Sequence, residues 1–179
     1  PNNRGRHSGY NAGLGWWANR FGYGTPGAKA AVIHVHRNNW KTVRIYAAAD
    51  GNVYFFLNGA LERVVKDTQF MNGVIRLGNN CRDYQYRNLV LKGGDAPSAP
   101  TKVTKIAMAS NVWTANRYAT FKSNVLTIKG GSNFVETKAS FVRPLDMTID
   151  MRQVSGSPEC GVVAMFPNNR GRHSLSLIH

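Results

Sequence analysis

Acidic side chains are scarce in this chain of 179 residues: 9 Asp and Glu stand against 23 Lys and Arg, a formal net charge of +14. A balance of that sign selects polyanionic partners, such as sulfated or uronic polysaccharide, lipid headgroups or nucleic acid, and says nothing about fold. It also fits a basic protein whose charge serves only to keep it soluble. Cysteine is nearly absent. Cys81 and Cys160 allow one disulfide, in keeping with an oxidising compartment, and equally two buried free thiols. No apolar run is long enough to span a bilayer, so no membrane span is expected. No secretion signal is visible, and the first residues do not read as a natural start. With 42% hydrophobic and 18% charged residues the composition is globular, and the length suits one domain with a sizeable core.

A sustained helical stripe is missing as well, which leaves strands. Leu145, Met147, Ile149 and Met151 alternate with Asp146, Thr148, Asp150 and Arg152, a period of two with one dry and one wet face. Trp40 to Ala47 follows the same logic, with Val43, Ile45 and Ala47 on one face. Asp50-Gly51 and Asn58-Gly59 then punctuate residues 52–57 and 60–65. Both dipeptides tolerate the positive φ of tight hairpin turns, so three consecutive antiparallel strands are predicted. Further strands are expected over 30–37, 74–77, 84–91, 103–109, 125–129, 134–141 and 160–166. Many short strands with Gly- and Asn-rich turns predict an all-β sandwich or barrel.

An exact repeat marks the organisation. Residues 1–8, PNNRGRHS, recur as residues 167–174, a domain length apart. A tandem array of near-identical domains explains this, as does a circular or duplicated assembly of the gene. Residues 93–100, with two prolines and only small side chains, read as a linker. Residues 1–92 are then the C-terminal part of the sandwich and residues 101–174 its N-terminal part. They would pair as a circular permutant in this chain order. Residues 175–179 are similar to a translated sequencing adapter and read as an artefactual tail.

Trp40 to Ile45 (W-x-x-V-x-I), followed by Gly51 to Gly59 with its closing Asn-Gly, resembles the core of laminin G-like and concanavalin A-like domains. Residues 73–78 are similar to the strand that follows in those domains, and residues 86–91 to their closing strand. Residues 126–131, 136–141, 145–152 and 161–166 match the front part in style. The resemblance covers nearly the whole chain outside the linker and tail. It implies a two-sheet antiparallel β-sandwich of the concanavalin A-like jelly-roll type. For function it implies a choice among glycan binding, protein binding, spacer duty in adhesins and glycoside hydrolysis, which fold does not decide.

The hydrolases of that fold carry E-x-D-x-x-E on a strand, and the motif is absent here. Asp146 and Asp150 share the polar face of one strand but stand about 13 Å apart along it. Paired catalytic carboxylates need about 5–9.5 Å. Both therefore read as solvated face residues, and no catalytic residue is expected. His34 and His36 share a strand face without a nameable third ligand, and Asn79, Asn80 and Asp83 make a thin calcium loop. No metal or other cofactor is expected.

The most unusual segment runs from Arg4 to Tyr23. It combines cations, flat aromatics, amides and glycines: Arg4, Arg6, His7, Tyr10, Asn11, Trp16, Trp17, Arg20 and Tyr23 are the candidate ligand-binding residues. Sugar rings stack on aromatic faces, and Arg forks bind sulfate or carboxylate in bidentate fashion. Trp16 and Trp17 point to opposite faces of a strand, so one of them is expected in the core. Trp40 opens a core-patterned strand and reads as structural; Tyr84, Tyr86 and Arg87 form a second, lesser surface. The expected function is a non-catalytic carbohydrate-binding module for acidic polysaccharide or glycoconjugate, within a larger extracellular protein. The alternative is a structural repeat of an adhesin or surface fibre, packed against neighbouring copies of itself. Nucleic acid is disfavoured, because the basic residues are dispersed and no binding motif is present.

Overall fold

The computed structural model describes residues 10–14, 20–21, 39–68, 70–79, 82–93, 103–114, 116–131, 133–155 and 161–167. These residues form an all-β sandwich whose strand pairings are antiparallel. The strands are β1 (Tyr10–Leu14), β2 (Arg20–Phe21), β3 (Lys41–Ala47), β4 (Asn52–Leu57), β5 (Ala60–Lys66), β6 (Asn72–Gly73), β7 (Ile75–Asn79), β8 (Tyr84–Gly93), β9 (Val103–Ile106), β10 (Ala119–Lys122), β11 (Val125–Ile128), β12 (Phe134–Glu136), β13 (Phe141–Val142), β14 (Leu145–Gln153) and β15 (Gly161–Met165). A five-stranded sheet has the order β12-β7-β15-β1-β2. An eight-stranded sheet has the order β10-β11-β8-β14-β3-β4-β5, with β9 paired to the second half of β8. β13 and β6 form a separate short ladder.

The β3-β4-β5 meander follows from its turns. Gly51 takes φ +89°, and Asn58 and Gly59 take +48° and +85°, the mirror-image turn conformation that Asn-Gly accepts at little cost. The Asp50 carboxylate accepts hydrogen bonds from the Asn52 backbone (2.9 Å) and side-chain amide (2.6 Å), and these hold its carboxyl below the usual carboxylate range. β14 then buries Leu145, Met147, Ile149 and Met151 and turns the residues between them outward, as its period of two predicts. Those side chains join Tyr10, Ala12, Leu77, Val163 and Met165 of the other sheet in one apolar core. Gly161 permits a close approach between the layers: a Cβ there would lie 2.2 Å from the Tyr84 ring.

Several strands differ from the expected ones. Residues 134–141 are not one strand. They break into β12 and β13, because the Thr137 hydroxyl accepts the Ile75 amide (3.0 Å) and donates to the Ala139 carbonyl (2.8 Å). The strand expected over 103–109 ends at Ile106. β10 is new. It is joined to β11 by Ser123 and Asn124, both at positive φ (+51° and +56°), a turn without the glycine that would have announced it. The strand expected at 30–37, most of the expected linker (94–100), the expected artefactual tail (175–179) and both cysteines lie outside the described residues.

Candidate functional site

The alternation that buries one face of β14, β3, β8, β4 and β11 turns a second set of side chains to the outside of the eight-stranded sheet. Asp146, Thr148, Asp150 and Arg152 come from β14, Thr42, Arg44 and Tyr46 from β3, Gln85 and Arg87 from β8. Trp40, one residue before β3, joins this outer set. The guanidinium carbons of Arg87 and Arg152 lie 4.0 and 4.5 Å from its ring centroid, so two cations rest against one indole. Trp40 is half-buried by these arginines rather than by the core.

A polar chain runs outward from this centre. The Arg152 Nε donates to Gln85 (2.9 Å), whose amide donates to the Thr127 hydroxyl (3.1 Å) on β11. On the other side the Arg87 Nε contacts the Asp150 carboxylate at 3.4 Å. Asp150 also accepts from the Thr42 hydroxyl (2.8 Å) and the Asn88 amide (2.9 Å). Asn88 reaches it because the β8–β14 register shifts between Thr148 and Asp150, and Asn88 takes φ +54°. A bulge of this kind re-aims one side chain without ending the ladder. The Nη groups of Arg87 and Arg152 make no hydrogen bond to any described residue, which leaves two cationic forks for a ligand.

A second cluster lies across β3 and β4. Arg44 and Asp146 form a bidentate pair, both contacts 2.8 Å, and the carboxylate pushes the guanidinium pKa above its ordinary value. The Arg44 guanidinium also sits 4.8 Å from the Phe56 ring centroid. Tyr46 and Tyr54 stack beside it, 5.7 Å apart and inclined by 20°. Lys92, Lys105 and Lys122 stand exposed on the same face. The cations named here outnumber Asp146 and Asp150, and both of these carboxylates are already engaged.

The sequence-derived candidates are distributed differently. Tyr10 is a core residue and not a surface platform. It is fully buried, its hydroxyl donates to the Asp67 carbonyl (3.0 Å) and accepts from Arg143 Nη1 (3.1 Å) and the Phe70 amide (3.3 Å), and burial pushes its pKa up. Arg143 is buried with it and also donates to the Asp67 and Asn52 carbonyls (2.7 and 3.1 Å). Asn11 lies opposite Ala164 on β1, and Arg20 lies opposite Gly13 at the edge of the five-stranded sheet. Arg4, Arg6, His7, Trp16, Trp17 and Tyr23 lie outside the described residues, as do His34, His36 and Asn80.

Of the lesser surface, only Arg87 faces outward, while Tyr84 and Tyr86 are fully buried. Trp40, read from its strand as structural, precedes β3 by one residue and packs against Arg87 and Arg152 at the end of the β3–β14 ladder. The signal for it was available in the parity of β3: Trp40 falls in phase with Thr42, Arg44 and Tyr46, not with Val43 and Ile45. Asp146 and Asp150 are partnered by arginines rather than merely solvated. Asn79 and Asp83 spend their side chains on loop backbone. Asn79 accepts from the Asn133 amide (3.1 Å) and donates to the Ile128 carbonyl (3.1 Å), and Asp83 accepts from the Gly130 amide (2.7 Å). Among the described residues no cluster of three or more metal-ligating side chains occurs. Nor is any helix among them long and apolar enough to cross a membrane. No protein-family model matches this chain, and no curated protein sequence matches it either.

Proposed function

We propose that this protein is a non-catalytic carbohydrate-binding module for acidic polysaccharide, part of a larger extracellular protein, and that the outer face of the eight-stranded sheet is its binding surface. The observation that carries the reading is the pair of arginine forks held against Trp40. Their geometry suits bidentate capture of sulfate or uronate carboxylate, and the indole holds both guanidinium planes in place before a ligand arrives. The Tyr46–Tyr54 pair supplies aromatic surface of the kind on which sugar rings pack. The excess of cations on this face and the +14 charge of the chain favour a polyanion over a neutral glycan. The resemblance to laminin G-like and concanavalin A-like domains agrees with a glycan ligand. A non-catalytic role is favoured because Asp146 and Asp150 are tied to Arg44 and to Arg87, Asn88 and Thr42, and stand about 13 Å apart along one strand.

The test is a glycan array at low and moderate salt with the full chain and its Arg87→Gln and Arg152→Gln variants. Binding to sulfated or uronic glycans should weaken with salt and fall at least tenfold in each variant, with thermal unfolding nearly unchanged. Equal, salt-insensitive binding of neutral glycans would remove the charge argument. A second reading, a structural repeat of an adhesin or surface fibre without its own ligand, is favoured by the duplicated octapeptide. It gains if the folded chain binds nothing on the array.

A further inference from the structure

Two groups of aromatic and cationic side chains stand at opposite ends of the β3–β14 ladder. One is Trp40 with Arg87 and Arg152 against its ring. At the other end Tyr46 lies opposite Asp146 and Tyr54, and Arg44, two residues before it, lies opposite Thr148 and Phe56. Trp40 and Tyr46 are six residues apart in the same phase, about 20 Å along a strand. Arg152 and Asp146 repeat that interval on β14. Between the two ends come the shorter side chains of Thr42, Thr148 and Val90.

The relief of the charges favours an anion at both ends. The side chains of Arg44 and Arg87 are 41% and 39% exposed, those of Asp146 and Asp150 only 14% and 18%. A ligand arriving from solvent therefore meets guanidinium before carboxylate. Arg44 engages Asp146 through Nε and Nη2, which leaves Nη1 for a ligand. Lys92, opposite Asp146 on β8, adds an exposed cation at that end. A single sugar or a free anion reaches one end only. A chain that reaches both makes its second contact within the same complex, at high effective concentration.

We propose that the ligand is a run of several sugars laid lengthwise along β3 and β14. One acidic group sits on the Arg87 and Arg152 forks, a second on Arg44, and a sugar ring packs on the Tyr46–Tyr54 pair. This rests on the glycan reading and makes its ligand a polymer held along its length, not a lone acidic sugar. The test is calorimetric titration of the full chain with heparin-derived di-, tetra-, hexa- and octasaccharides, which carry both sulfate and uronate. Affinity should step up about tenfold or more between the disaccharide and the octasaccharide. Longer fragments also offer more binding registers, but that gain is the same in every variant. The decisive comparison is therefore with Tyr54→Ala and with the double variant Arg44→Gln, Asp146→Asn, which removes the second cation without freeing a carboxylate. Each should lose most of the step and leave disaccharide binding unchanged, whereas Arg152→Gln should weaken every length. Equal affinity for all lengths, or a step that survives in both variants, would overturn the inference and leave a compact site at Trp40. If the parent binds no fragment of any length, the glycan reading itself fails and this inference falls with it.

Discussion

β7 and β15 of the five-stranded sheet bury every residue, whereas β14 of the eight-stranded sheet buries every second one. The same backbone geometry thus serves two purposes. A strand covered on both faces must neutralise any charge it carries within the protein. Arg76 on β7 does so through Glu136 on β12, with contacts of 2.8 and 2.5 Å, under the Phe134 ring 4.6 Å away. A strand with one wet face can hold its cations ready for something else, as Arg87 and Arg152 are held on Trp40. The Arg76–Glu136 side chains are 8% and 12% exposed, against 41% and 14% for Arg44–Asp146. Burial, not geometry, separates a structural ion pair from a surface one.

The largest effect should come from breaking the covered pair. Glu136→Ala leaves the Arg76 cation without its partner in a dry site, at a cost of about 3–5 kcal/mol in denaturant unfolding. The double variant Arg76→Met, Glu136→Leu should recover most of that loss, because two apolar side chains need no mutual neutralisation. A Glu136→Ala variant within 1 kcal/mol of the parent would erase the distinction between the two sheets.

Next comes the contact between the layers. Gly161→Ala places a methyl where the Tyr84 ring now lies, and overpacking of this kind costs about 1–3 kcal/mol. The Tyr84 near-ultraviolet signal should change with it. If the variant is neutral, the layers are looser at this point than the 2.2 Å approach implies.

A smaller loss, about 1–2 kcal/mol, should follow Tyr10→Phe, which removes the acceptor that Arg143 and the Phe70 amide share. Burial raises the Tyr10 pKa above that of the unfolded chain, so the folded state holds the phenolic proton more tightly. Its contribution is therefore complete below about pH 10, the ordinary tyrosine value, and is lost as pH rises above it. Unfolding midpoints of the parent and of Tyr10→Phe should keep their separation from neutral pH to about pH 10 and converge above it. Parallel curves would mean that another group governs the alkaline limit.

Much of the eight-stranded sheet was legible in the sequence, because one-sided burial writes a period of two. The β3-β4-β5 meander and β14 follow from alternation and from Asp-Gly and Asn-Gly turns. The five-stranded sheet was harder. Gly161 to Met165 reads as an apolar run with no phase, and β1 and β2, of five and two residues, are too short for their pattern to stand out. The β10–β11 hairpin escaped because Ser123 and Asn124 take positive φ without glycine. The arginine–indole group escaped for a related reason. Density of Arg, Trp and Tyr along the chain pointed to residues 4–23, while the arginine–indole group is assembled from residue 40, residue 87 and residue 152, which only strand pairing brings together.

The smallest stability effect and the most informative sign belong to Asp146. Its pair with Arg44 lies on the open face, where solvent and salt screen it, so Asp146→Asn should cost less than about 1 kcal/mol and less still at high salt. The same change leaves the Arg44 guanidinium without its counter-charge on the face proposed to bind acidic glycan. Affinity for a sulfated glycan should therefore rise, with a steeper dependence on salt, while Glu136→Ala offers no such gain because Arg76 is covered. If Asp146→Asn weakens binding instead, the carboxylate holds Arg44 in the orientation the ligand needs, and the outer face works by preorganisation more than by net charge. If binding does not change, Arg44 lies outside the footprint, and the site contracts to Trp40, Arg87 and Arg152.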